Sequence, residues 1–479
     1  MSYDRTVLAC NNLCLSQLLL DSIKLEDGYT YLFSSSPLTS PERSLPSSAA
    51  PSPLSTPPAS PISSPWLLAL PSEANYNDVP LPPMPPAQMD LLLQTDPPNS
   101  STRAKRRSHA KRKNKRQIER AAAKLENKGR KEVYKSRSST LKKHVKRANA
   151  YQTQFDTTTL PIASSGYVSV PGQKSSSTFP LTKLVGPDSR FKMEKVVWDG
   201  KYSIPIVDKN SRIFGLCAGA DASDWNDVHQ SASTALENAR GRLSLGKTDR
   251  QHRRGRFVAR NVGISHGGGQ TRPMVLRHHS PDEEILSGLL KHPSFIRMAG
   301  HASGIFGTWA PKLHAYYADH LQRLMDHDKT LTRNFENSVF SACAFNFGPQ
   351  TVCYRHRDHA NLPFGWCGIT ALGNYDYKLG GHLILWDLGL VIEFPPGSTI
   401  FIPSAALEHS NASIQKHERR YSFTQYTSGG TFRWVDYEFQ KADVYFASLS
   451  EEERQAAAQE GRDRLAFGLS LFSSLDELK

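Results

Sequence analysis

From Phe345 onward the sequence breaks into short apolar runs separated by glycine- and proline-containing turns. They are Thr351–Arg355, His382–Trp386, Val391–Phe394, Thr399–Pro403 and Tyr421–Tyr426. Runs this short do not make stable helices, and tight turns between them predict an antiparallel sandwich or barrel. Upstream, Lys195–Trp198 and Tyr202–Val207 read as strands broken by Asp199-Gly200, and Asp224–Arg242 as a helix. Ile285–Met298 and Lys312–Met325 are two more predicted helices, the second with Leu313, Tyr316, Tyr317, Leu321 and Leu324 near a 3.6-residue period. A last helix is expected from Ser450 to near Lys479, opened by a Ser450/Glu453 capping box and covering the sheet from outside.

No such pattern exists in the first hundred residues. Seventeen of the 31 prolines fall between residues 31 and 100, and each fixes φ and removes a backbone donor. Residues 1–100 are therefore expected to be a disordered Pro/Ser-rich region. Residues 101–150 follow as a basic, partly helical arm. Between 103 and 147 lie 20 Lys or Arg against three Glu, whereas the whole chain carries a net charge of +14. The basic excess thus belongs to one segment, which fits sequence-independent DNA binding and nuclear targeting, with a solvated linker as the bland reading. The compact part is expected to start near Leu160, with 160–340 as an α+β portion, 341–440 as the β core and 441–479 as a helical cover. No apolar run approaches the ~20 residues a membrane span needs, and the start carries no secretory pattern. Six cysteines at 10, 14, 217, 343, 353 and 367 make neither a disulfide scaffold nor a four-thiolate zinc site, which fits a reducing compartment.

The strongest local signal is Tyr354-Arg355-His356-Arg357-Asp358-His359-Ala360-Asn361. Two positions apart on a strand, His356 and Asp358 point to one side. His409 lies 51 residues beyond Asp358, after the run Thr399–Pro403. Two imidazoles and one carboxylate on three corners of an octahedron suit non-haem Fe(II) and leave three positions open. His-x-Asp alone is weak. Arg420, 11 residues past His409, strengthens it. Arg420, Ser422 and Thr424 share one face of their strand, and a guanidinium inside a small barrel demands an anionic partner. A dicarboxylate cosubstrate would meet the planar fork of Arg420 and the hydroxyl of Ser422. Arg419, one residue away, should face outward. Trp366 and Trp386 are expected to pack, with Trp366 close enough to the loop to line the site's mouth.

These stretches resemble the TET/JBP family of Fe(II)- and 2-oxoglutarate-dependent nucleic-acid dioxygenases, most of all its branch from mushroom-forming fungi. The resemblance rests on His356-Arg357-Asp358-His359-Ala360-Asn361, on His409-Ser410-Asn411 and on Arg420-Tyr421-Ser422-Phe423-Thr424-Gln425-Tyr426. It covers about residues 341–440 well and 190–340 loosely. It implies a double-stranded β-helix (jelly-roll) core with flanking helices. It also implies His356, Asp358 and His409 as catalytic iron ligands, Arg420 on the tail carboxylate of 2-oxoglutarate, and Asn361 hydrogen-bonded to that cosubstrate. O2 is the second cosubstrate, and 5-methylcytosine in duplex DNA, oxidised to 5-hydroxymethylcytosine or further, is the implied substrate in a nuclear protein. Ala360 departs from the family, where histidine is frequent, which leaves base preference open. The segment 253–273 resembles an upstream family stretch, so Arg254, Arg256 and Arg272 are expected at phosphates and Gln270 at a base edge. The alternatives are the same chemistry on N6-methyladenine, RNA or protein, an inactive DNA-binding nuclear protein, and a cupin with another metal.

Overall fold

The alternating run that ends in Tyr426 sits at the heart of the molecule. In the computed structural model, which describes residues 134–479, Arg419–Tyr426 is one strand of a nine-stranded sheet. The described residues form thirteen strands: β1 (Tyr151–Gln152), β2 (Glu194–Val196), β3 (Ile204–Val207), β4 (Ile213–Ala218), β5 (Ala259–Ser265), β6 (Met274–Leu276), β7 (Ala342–Asn346), β8 (Cys367–Asn374), β9 (Leu383–Leu385), β10 (Leu390–Ile392), β11 (Thr399–Ile402), β12 (His409–Asn411) and β13 (Arg419–Tyr426). The large sheet has the order β1-β3-β4-β11-β8-β13-β7-β5-β6, and a smaller one the order β12-β9-β10-β2.

From β7 to β13 the chain passes repeatedly between the two sheets. β7, β8, β11 and β13 lie side by side in the large one, and β9, β10 and β12 in the small one. The extended segment 351–358 joins the small sheet through a single antiparallel bridge, His356 to His409. This alternation is a double-stranded β-helix, and the jelly-roll expectation holds. Leu383, Leu385, Leu390 and Ile392 of the small sheet share one core cluster with Ala371, Ile400 and Ile402 of the large sheet.

Seven longer helices cover the sheets: α1 (Trp225–Arg242), α2 (Asp282–Lys291), α3 (Pro293–Trp309), α4 (Pro311–His327), α5 (Gly429–Asp436), α6 (Ala442–Ser448) and α7 (Glu451–Ser470). Tyr421 and Phe423 of β13 pack in one cluster with Leu236, Ile285 and Phe295 from α1, α2 and α3. The opposite face of β13, with Arg420 and Ser422, therefore points into the barrel.

Several expectations need correction. The helix expected over Ile285–Met298 is two helices, because Pro293 has no N–H to donate and His292 before it is extended. Thr351–Arg355 joins no regular ladder; its N–H groups are met piecemeal, as by the Arg254 carbonyl at Tyr354 (2.7 Å). The C-terminal helix keeps its Ser450/Glu453 box but stops at Ser470, and a second box, Ser474/Glu477, opens a separate short turn. The ordered body also begins before Leu160. Val145, expected in the basic arm, is fully buried in the core, Leu141 packs beside it, and β1 pairs with β3. Residues 101–133 of the expected arm and the Pro/Ser-rich region lie outside the described residues. Among those described, no helix is long and apolar enough to cross a membrane, and Cys217, Cys343, Cys353 and Cys367 are free thiols.

Candidate metal centre

His356 and His409 exchange both backbone hydrogen bonds, at 3.1 and 2.9 Å. Directly opposed residues of an antiparallel pair carry their side chains on the same side. The two imidazoles therefore meet, with ring centroids 4.2 Å apart. Asp358, two residues on, is held by its backbone N–H donating to the Ser404 carbonyl at 2.9 Å. Its Oδ1 lies 3.6 Å from His356 Nε2 and its Oδ2 lies 3.8 Å from His409 Nε2. One ligand atom from each of the three residues lies within 4.8 Å of the others, and all three side chains are buried.

The ring orientations fit a metal. His356 Nδ1 donates to the Tyr354 carbonyl at 2.7 Å, and His409 Nδ1 donates to the Leu407 carbonyl at 2.9 Å. A carbonyl can only accept, so each Nδ1 carries the proton and each Nε2 turns a lone pair toward Asp358. Burial, and for His356 also the neighbouring His409, pushes both imidazoles below their ordinary range, well below it for His356. Burial alone would raise the Asp358 carboxyl. The charges around it, Arg254 foremost, outweigh that and hold it well below the usual carboxylate range. Two neutral imidazoles and one carboxylate are the protonation states a divalent cation requires.

Arg420 is 1% exposed, with its guanidinium over the rings of Tyr375 and Phe394. Nη1 donates to the Thr351 carbonyl at 2.6 Å, but Nε and Nη2 make no well-directed hydrogen bond although Tyr375 is adjacent. Buried donors on a charged group rarely stay unpaired, so the site fits an anion that would complete them. The Thr351 carbonyl that Arg420 reaches belongs to the same extended segment, 351–358, that carries His356 and Asp358.

Solved structures similar to this chain include NgTET1 in complex with 5mC DNA, at a TM-score of 0.35 and 15% identity over 50% of this chain and 83% of that one. They also include an oxidoreductase of the 2OG-Fe(II) oxygenase family from Burkholderia pseudomallei, at a TM-score of 0.26 and 18% identity over 48% of this chain and 84% of that one. No family model matches the sequence, and no curated protein does.

The remaining expected residues divide. Ser422 is buried on the Arg420 face, where its oxygen accepts from Asn346 Nδ2 at 2.8 Å and leaves its own hydrogen to donate. Asn361 lies on the loop just past Asp358, turned toward Ser404 Oγ at 3.5 Å. Arg419 is exposed, as its phase requires. Trp366 stacks between Phe306 and Phe401 and, at 1% exposure, belongs to the core. Arg254, expected at a phosphate, instead pairs with Asp358 (Nη2 to Oδ1, 3.0 Å). Arg256 is exposed, and Arg272 lies 3.5 Å from Asp328 beyond α4, so the triad gathers neither. Gln270 closes a glycine turn with its N–H on the Gly267 carbonyl. That turn begins at His266, whose N–H donates to Ser428 Oγ, and Ser428 bridges to Asn361, so the turn adjoins the ligand loop. Arg254 thus contributes to the centre itself, a role different from the phosphate contact expected of it. Only its place in an Arg-Arg-Gly run hinted at a special contact.

Proposed function

We propose that this chain is an Fe(II)- and 2-oxoglutarate-dependent dioxygenase that oxidises 5-methylcytosine in DNA. The observation that carries the oxygenase reading is the pair formed by a buried, metal-competent His356/Asp358/His409 triad and the buried Arg420 guanidinium, which has two unmet donors and is bonded to the segment that carries His356 and Asp358. A structural metal would need no such anion receptor. On this reading His356, Asp358 and His409 hold the iron, which with 2-oxoglutarate and O2 supplies the oxidising power. Arg420 orients the cosubstrate by its far carboxylate, Ser422 donates a hydroxyl beside it, and Asn361 is assigned a further hydrogen bond to it. The apolar inner face, with Leu383, Leu385 and Ile392, excludes water from the reacting atoms. The substrate assignment is supported by the sequence resemblance and by the basic segment preceding the body. A base presented to ligands as buried as His356, Asp358 and His409 must leave the stack, at a cost of a few kcal/mol.

Conversion of 2-oxoglutarate to succinate, measured with and without methylated duplex, tests this. Stimulation by methylated but not unmethylated DNA, with depletion of 5-methylcytosine, is expected. Turnover stimulated instead by N6-methyladenine DNA, RNA or protein would keep the chemistry and replace the substrate. Asp358→Ala should abolish turnover while leaving DNA affinity unchanged, and a matching loss of affinity would contradict its role as ligand.

A further inference from the structure

Residues 252–255 form a tight turn closed by two backbone hydrogen bonds between His252 and Gly255, at 3.0 and 3.1 Å. The turn is docked on the ligand segment at three points. The Arg254 carbonyl accepts from the Tyr354 N–H at 2.7 Å, and the Arg253 guanidinium donates to the Arg357 carbonyl through two nitrogens at 3.4 Å. The Arg254 side chain then reaches Asp358. A Cβ on Gly255 would fall 2.9 Å from the Val352 carbonyl oxygen, so a larger residue could not sit this close without moving the turn.

The two oxygens of Asp358 therefore differ. Oδ1 has the guanidinium nitrogen 3.0 Å away, an ion pair off the ideal hydrogen-bond direction, as well as His356 Nε2 at 3.6 Å, whereas Oδ2 faces His409 Nε2 at 3.8 Å. A triad that must leave three positions open can give only one to its carboxylate. We infer that Arg254 is a positioning residue: by engaging Oδ1 it restricts Asp358 to a one-oxygen ligand and so preserves a coordination position for the cosubstrate. This rests on the oxygenase reading above. Without Arg254 both carboxylate oxygens become available and the repulsion between guanidinium and cation disappears. A divalent cation should then bind more tightly while the cosubstrate loses its place.

The full chain, kept anaerobic, is titrated with Co(II), whose visible absorption reports coordination, and then with 2-oxoglutarate. Arg254→Gln should bind Co(II) about tenfold more tightly and alter its absorption. It should bind 2-oxoglutarate on the Co(II)-loaded protein at least about tenfold more weakly. Arg254→Lys, which keeps the charge, should recover much of the wild-type behaviour. The side chain is 31% exposed, so neither change opens the core. Unaltered absorption with unaltered cosubstrate affinity in Arg254→Gln would overturn the inference, as would loss of Co(II) binding in that variant. A wild-type chain that takes up no Co(II) would instead overturn the metal-centre reading itself.

Discussion

Arg420 places a charge where the fold gains little from it. Its guanidinium is buried, makes one hydrogen bond to Thr351 and leaves two nitrogens unmet, which is costly in an apolar interior. Replacing it with methionine, of similar length, should leave the melting temperature equal to or above wild type. The same variant should bind 2-oxoglutarate roughly ten- to hundredfold more weakly, the weight of hydrogen bonds to a charged group. A clear drop in melting temperature would make Arg420 a structural residue. Asp436 is the contrasting case. It accepts from Tyr167 (2.8 Å), His320 (2.8 Å) and Arg464 (3.3 Å), tying α4 and α7 to the end of α5. Burial raises its carboxyl, but the His320 hydrogen bond and the Arg464 charge prevail and hold it below its ordinary range. A depressed carboxyl stabilises the fold above its unfolded value and loses that contribution as pH falls through the folded one. Asp436→Asn should thus cost about 2 kcal/mol near neutrality. The cost should shrink as the solution is acidified below the ordinary carboxylate range, as denaturant melts across pH would record.

The elements explain why part of the site could be read in advance. His356, Asp358 and the Arg420/Ser422 face were legible because a period of two decides which side chains share a side, whatever the partner strand. β12 was not, since three residues, His-Ser-Asn, carry no strand signal, and only pairing with Leu383–Leu385 makes them one. β8, central between β11 and β13, was hidden by Gly368 and Gly373, which lower strand propensity. Arg254 could not be placed because its contact with Asp358 spans more than a hundred residues and depends on how a turn docks. The helical cover works through close approach. In α7, Gly468 lies on the Phe364 ring so tightly that a Cβ would come within 2.2 Å of it. Gly468→Val should destabilise by about 1–3 kcal/mol through overpacking, readable as a shift in denaturant midpoint. Ser450→Ala, which removes only the cap of the same helix, should cost about 1 kcal/mol.

At the scale of the molecule, the chain joins a strongly basic segment to a body with a buried His/Asp/His cluster. Val145 and Leu141 belong to the core, so a test of the basic segment has to stop short of residue 134. Deleting 101–133 should weaken DNA affinity and flatten its dependence on salt, while succinate formation at saturating DNA stays unchanged. An unaltered salt slope would make the segment a spacer. The central claim is more local: three ligands and one guanidinium serve a single cation and a single dicarboxylate. Equilibrium binding of 2-oxoglutarate under anaerobic conditions, with and without Fe(II), tests it most directly. Saturable binding of one molecule per chain is expected only when Fe(II) is present, and it should be lost in His409→Ala. Binding that ignores the cation, or none in the loaded protein, would contradict the account.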